Sequence, residues 1–193
     1  MEQLLAAIER HTIERAAPLV VALDGRSGTG KSTLAKQLAV TSDAVVVDCD
    51  DFYAGGTDEA WLAQTPRQRA ACGIDWRRLK GEAVGPLRDG RIAHYHPSDF
   101  INGAGLASHM VIGDPKAVII LDGAYSGRPE LAEIVDIAVL IELPDGLRRS
   151  RLMAREGAAF MNRWHPIWDS AEDYYFRHVC PPSRYDFVFT MFA

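Results

Sequence analysis

Leu19-Val20-Val21-Ala22-Leu23-Asp24-Gly25-Arg26-Ser27-Gly28-Thr29-Gly30-Lys31-Ser32-Thr33-Leu34-Ala35-Lys36-Gln37-Leu38 places an apolar run, a glycine-rich turn and a helix-forming stretch in direct succession. The apolar run reads as a buried strand, and Gly25 to Ser32 fits the spacing G-x4-G-K-[ST]. Glycines let the backbone turn back so that several N–H groups converge on one anion, and the new helix adds its positive end. The stretch reads as a phosphate-binding P-loop whose nucleotide contacts come from Gly25, Ser27, Gly28, Thr29, Gly30, Lys31, Ser32 and Thr33. Lys31 is expected to reach the β- and γ-phosphates, and Ser32 to offer its hydroxyl to Mg²⁺.

Further short apolar runs recur at residues 44–47, 117–121, 137–141 and 187–189, most of them without polar alternation. Strands that are apolar on both faces belong in a covered parallel sheet, so the expected fold is α/β, three-layered and mostly parallel. Apolar positions 4, 5 and 8 suit an amphipathic helix at the start of the chain. A helix is expected from Asp145, its candidate cap, to near Gly157, and another over 166–179 before Pro181-Pro182. Residues 54–116 are rich in glycine and proline and weakly periodic, and are read as a substrate-binding insertion.

The 193 residues, 48% apolar and 24% charged, fit one folded domain. A net charge of −5 disfavours a broad nucleic-acid surface. Acids among the first ten residues argue against a signal peptide, and no apolar run nears the roughly 18 residues of a membrane span. Three cysteines without metal-like spacing agree with a reducing, cytoplasmic setting. A homodimer is the base-rate expectation for assembly.

The acids narrow the chemistry. Run 117–121 leads into Asp122-Gly123, the place of a Walker B acid, with a strand-end turn as the plainer alternative. No second acid follows to activate water and no N-K-x-D occurs, which argues against a dedicated hydrolase and a guanine switch. Run 44–47 leads into Asp48-Cys49-Asp50-Asp51-Phe52-Tyr53, acids at the carboxyl end of a strand, where open α/β sheets bind ligands. Asp50 is the candidate base toward an acceptor hydroxyl, and Ser32, Asp50 and Asp122 form the expected Mg²⁺ set, directly or through water.

The P-loop, Asp50-Asp51-Phe52-Tyr53, Asp75-Trp76-Arg77-Arg78-Leu79, Asp122-Gly123 and an arginine-rich stretch at 147–155 together resemble the uridine kinase and nicotinamide riboside kinase group of P-loop kinases. The resemblance spans residues 18–190 and implies ATP-dependent phosphorylation of a hydroxyl on a nucleoside or similar small molecule. It also implies a five-stranded sheet ordered 2-3-1-4-5. In that group the first acid of the D-D-F-Y segment is the base, which falls on Asp50, with Asp51 as its partner or replacement. Asp75 falls on the acid that binds sugar hydroxyls, though a helix cap before Trp76 explains it as well. Tyr53 and Trp76 are read as acceptor-pocket walls or as core aromatics.

Arg148, Arg151 and Arg155 are spaced by three and four, which places them on one helix face, either a phosphate clamp or a solvated stripe. The resemblance makes residues 145–165 the lid, with Arg151 and Arg155 catalytic and Arg148 nucleotide-binding. It puts Arg184, in the loop before the last strand, beside the adenine. Tyr95, His96 and Asp99 are its candidates for further acceptor contacts. The usual pyrimidine-reading segment is replaced from His94 onward, so the acceptor stays open among nucleosides, vitamins, sugars and antibiotics. A nucleotide-binding regulatory module without transfer is the remaining reading.

Overall fold

The computed structural model describes residues 2–99 and 105–191. Helix α1 (Glu2–Glu14) leads into strand β1 (Leu19–Asp24), the P-loop and α2 (Lys31–Thr41). Strand β2 (Ala44–Asp48) ends in a 3-10 turn, Cys49–Phe52. Four short helices follow: α3 (Asp58–Ala63), α4 (Pro66–Cys72), α5 (Trp76–Arg78) and α6 (Gly85–Arg88), the last two joined by a π-turn, Leu79–Val84. Strands β3 (Ala93–Tyr95) and β4 (Val111–Gly113) form an antiparallel pair. Strand β5 (Val118–Asp122), β6 (Ile137–Glu142), α7 (Asp145–Arg163), α8 (His165–Tyr174) and β7 (Phe187–Thr190) complete the described chain.

The main sheet is ordered β2-β5-β1-β6-β7 with every pairing parallel, which is 2-3-1-4-5 when only its own strands are counted. Strand β1 is buried along its whole length because both faces are covered. Leu19, Val21 and Leu23 pack with Val118, Ile120, Ile137 and Val139 against Leu4 and Ile8 of α1 and Leu34 and Leu38 of α2. Val20, Ile119, Leu121 and Leu140 point the other way, onto Phe52, Leu79, Val84 and Tyr175. The period-two alternation of each strand thus feeds two cores, each fully buried aliphatic side chain contributing about 1.5–3 kcal/mol. Edge strand β7 covers one face only, and its Val188 remains exposed. Among the described residues no helix is long and apolar enough to cross a membrane.

Two local expectations are corrected. Asp145 does not cap α7; Pro144 holds that position without a side-chain cap, and the Asp145 carboxylate pairs with Arg148 one turn on. Nor does α7 end at Gly157, where the backbone turns through φ 79° and the helix resumes at a kink to Arg163. The hairpin of β3 and β4 and the two π-turns, Leu79–Val84 and Tyr175–Val179, carry no sequence pattern that would have announced them.

Gly123 shows how tightly the strand ends meet. A Cβ there would lie 2.6 Å from Cys49 Cβ, so the position after the β5 acid admits no side chain, catalytic or otherwise. We expect Gly123→Ala to lose about 1–3 kcal/mol in urea denaturation, while Gly81→Ala, with nothing within 4 Å of the added methyl, loses none.

Candidate functional site

The P-loop joins the carboxyl end of β1 to the start of α2, whose N-terminus has no side-chain cap. Its first-turn N–H groups are left for a ligand, the physical requirement of an anion cradle. Lys31 is buried, and its Nζ donates to the Gly25 carbonyl at 2.7 Å and the Arg26 carbonyl at 3.1 Å, so its charge is held inside the loop. A cavity of about 480 Å³ opens over this loop, lined by Ser27, Gly28, Gly30, Lys31, Ser32 and Thr33. Across it stand Asp48, Asp50 and Asp122 from the strand ends, and Arg151 and Arg155 from α7.

The three carboxylates gather because β2 and β5 pair in register, Asp48 opposite Asp122, and the turn after β2 brings Asp50 round. Asp48 fixes that turn by accepting the Asp50 N–H at 2.9 Å. Enclosure by protein, then the neighbouring Asp50 charge, pushes Asp48 up to about 7. Enclosure raises Asp50 as well, although water reaches it from the open cleft, and Lys31 and Arg155 pull it back down. Burial raises Asp122, with the Ser32 hydroxyl bond and Lys31 opposing. Buried Asp122 Oδ1 has no hydrogen-bond partner. An orphaned carboxylate oxygen beside a serine hydroxyl and two further acids is a donor set that fits Mg²⁺.

A second cavity has a volume of about 450 Å³. Tyr53, the residue capping the Asp50 turn, lines it with Trp61, Trp164, Trp168, Asp99 and Glu156. Glu156 follows Arg155 on α7, and the two side chains pair at 2.6 Å. Glu156 also lies within electrostatic reach of Asp50. The linings of the two cavities come next to each other along the chain at Arg155 and Glu156, and within one turn at Asp50 and Tyr53.

The remaining sequence candidates lie elsewhere. Arg148 is fully buried and donates to the Ser27 carbonyl and to Asp169 and Asp145, so it braces the loop from outside and does not line the phosphate cavity. Ser27 gives its N–H and Oγ–H to Glu172. Thr29 is buried with its hydroxyl on the Arg26 carbonyl, and Gly25 faces the Asp24 carboxylate. Asp75 accepts the N–H groups of Arg77 and Arg78 and so caps α5, while Trp76 stacks under Arg77 at 4.2 Å. Neither lines a cavity described above. Tyr95 donates to Asp51 at 3.2 Å, and the His96 ring meets the carbonyls of Ala107 and His109. Arg184 is exposed and donates to the Val179 carbonyl.

Sequence reasoning missed Asp48, Glu172, Arg26 and the tryptophans. The D-x-D spacing of Asp48 and Asp50 was a readable signal, as was Trp164-x3-Trp168 at one helical turn. Arg26 bridges Asp169 at 3.0 Å and lies near Glu172 and Asp173, a set of partners about 143 residues distant that no local pattern encodes.

No protein-family model and no curated protein matches the sequence. Solved structures show that the fold is shared with proteins described as kinases. A possible uridine kinase from Bacillus stearothermophilus aligns with a TM-score of 0.65 at 22% identity, covering 97% of this chain and 99% of that one. A candidate fructose transport system kinase from Silicibacter sp. TM1040 gives 0.69 at 23% identity, covering 96% and 98%. A D-glycerate 3-kinase from Cryptococcus neoformans gives 0.57 at 18% identity, covering 86% and 84%.

Two outcomes test this geometry. Because the folded-state pKa of Asp48 lies above its ordinary 3.8, the native protein holds that proton more tightly, and the stability so gained is lost as pH rises toward about 7. Asp48→Asn should raise the melting temperature of metal-free protein above about pH 7, lose that advantage below about pH 4, and reduce stabilisation by added Mg²⁺. Arg148→Met should cost on the order of 3 kcal/mol of stability in denaturant titration, because it strips the partner from a buried charge network. Arg151→Met should leave the denaturation midpoint unchanged.

Proposed function

We propose that this chain is an ATP- and Mg²⁺-dependent small-molecule kinase of the uridine kinase-like group, moving the γ-phosphoryl group to an acceptor hydroxyl. The observation that carries the reading is the placement of Asp50. Asp50 lines the same cavity as Lys31, Arg151 and Arg155, and Tyr53, which closes its turn, lines the second cavity. A hydrolase needs its base over water; on this reading Asp50 is instead the base toward a second substrate held on the Tyr53 side. The fold likeness to proteins described as a possible uridine kinase, a candidate fructose transport system kinase and a D-glycerate 3-kinase supports the class.

When bound, Mg·ATP supplies the electrophilic phosphoryl group and its charge neutralisation. Ser32, Asp122 and Asp48 would hold the metal. Lys31 would exchange the Gly25 and Arg26 carbonyls for phosphate oxygens, charged acceptors in place of neutral ones, which strengthens such bonds. Arg151 and Arg155 reach over the cavity from α7, where they oppose charge on the transferring group and exclude water. Asp50 orients the acceptor hydroxyl and takes its proton, a role its raised affinity for protons suits.

A nucleoside-like acceptor is the first reading and a vitamin, sugar or antibiotic the second. Asp75 is spent on capping α5 and does not reach the second cavity, which weighs toward the second. A module that binds nucleotide without transfer is favoured only if Asp50→Asn changes nothing.

The test is acceptor-dependent ADP formation across pooled hydroxyl compounds, with Asp50→Asn alongside. Turnover by the variant should fall by about two to four orders of magnitude, with ATP affinity kept within about threefold by calorimetry. Lost ATP affinity, or undiminished turnover, would remove Asp50 from the role of base.

A further inference from the structure

The second cavity is walled by aromatic rings. Tyr53, Trp61 and Trp168 pack mutually with centroids 5.0–5.5 Å apart, and Phe160 and Trp164 of α7 and its C-terminal junction complete the wall. Its polar side chains are Asp58, Asp99, Glu156 and Ser98. Among the described residues that line it there is no lysine, arginine or histidine. Trp61 is 4% exposed, and its Nε1 donor sits at the Gly56 corner of the cavity without a hydrogen-bond partner. A buried orphan donor at a cavity wall marks a place that a ligand completes.

Aromatic faces carry negative potential, and carboxylates add formal negative charge. Among the described residues, the charged side chains that line this room are all acidic and would repel an anionic guest. Two of the acids have arginine neighbours outside it, Asp58 with Arg163 at 2.7 Å and Glu156 with Arg155 at 2.6 Å. Arg155 belongs to the phosphate cavity, so triphosphate oxygens compete for its guanidinium and release Glu156 toward the second cavity. From this combination we propose that the acceptor is a hydroxyl-bearing organic cation, held by the aromatic wall and the acid rim, and bound more tightly once nucleotide has engaged Arg155. The proposal rests on the kinase reading above and names its substrate class.

The wall supplies its own reporter, since three tryptophans line the cavity. Tryptophan fluorescence would be titrated with shape-matched probes that differ in charge: choline against 3,3-dimethyl-1-butanol, and glucosamine against N-acetylglucosamine and gluconate, each with and without a non-hydrolysable ATP analogue and Mg²⁺. The cationic member of at least one set should bind about tenfold or more tighter than its neutral counterpart, with the gap widened by the analogue. Glu156→Gln, at a partly exposed site, should shrink the gap to about threefold or less and abolish the effect of the analogue. Neutral or anionic members binding as well as the cations, or no cation binding at millimolar concentration, would overturn the proposal. ADP formation in the same mixtures separates the two claims. Phosphorylation of a neutral acceptor would keep the kinase and sink the charge preference; cation-selective binding with no transfer to any probe would keep the charge preference and count against the kinase.

Discussion

The carboxylate of Asp24 is the point on which the rest of the site depends. It lies at the end of the central strand with no exposure to solvent and accepts five hydrogen bonds. Oδ1 takes the N–H groups of Gly25 and Tyr125, and Oδ2 takes the Gly127 N–H and the phenols of Tyr175 and Tyr185. One side chain thereby ties the entry of the P-loop, the loop that follows β5, the π-turn after α8 and the approach to β7. Burial alone drives such a carboxyl toward its neutral form, and the donors of Tyr185, Gly127, Gly25 and Tyr175 work against that. Tyr125 sits at φ 70°, a conformation that costs a non-glycine residue on the order of 1 kcal/mol or more. Its N–H bond to Asp24 is part of what holds it there.

The opposite side of the P-loop is gripped by charge. Arg148 and Arg26 share Asp169, and Glu172 takes both donors of Ser27. Gly28 makes this approach possible, since a Cβ there would lie 3.0 Å from the Arg148 carbonyl and 2.9 Å from Leu152 Cγ. Buried ion networks add little net stability once desolvation is counted, so their effect here is on position. The loop cannot shift against α7 or α8 without leaving a charge unpaired in the interior. A loop braced in this way on both sides has little reorganisation left to do on meeting a ligand, the kind of preorganisation on which electrostatic stabilisation depends.

These constraints explain what could be read along the chain and what could not. The five strands of the main sheet were legible because each carries its own apolar run, and the P-loop because its spacing is local. Asp50 and Asp122 followed, since a strand end fixes where a carboxylate goes. Arg148 illustrates the limit. Helical spacing puts it on one face with Arg155, yet seven residues of helix rise about 10 Å, enough for the first arginine to be buried under Gly28 while the later one opens onto the cavity. Sequence periodicity reports angle, and the neighbour that meets each level of the helix is set by distant parts of the chain. Asp75 was readable in two ways for the same reason, and its cap bonds depend only on the next three residues. The second cavity was legible only in part: Tyr53 and Asp99 stood among the acceptor candidates, but the rest of its wall draws on α3, α7 and α8, which no single local pattern joins.

That division runs through the candidate site itself. One half is lined from the P-loop and the ends of β2 and β5, where the parallel register sets Asp48 opposite Asp122 and the turn after β2 brings Asp50 round. The other half is built from short helices and from the second half of α7, where nothing in the sheet register constrains the side chains. The two halves communicate where one helix passes from the first to the second, at Arg155 and Glu156. Adjacent residues of a helix point about 100° apart, so a single rigid element can present a cation to one cavity and an anion to the other. Gly157, turning the backbone immediately afterward, lets the rest of α7 bring Phe160 and Trp164 back over the aromatic wall. One helix thus lines both rooms, meeting the second at Glu156 before the kink and again at Phe160 beyond it.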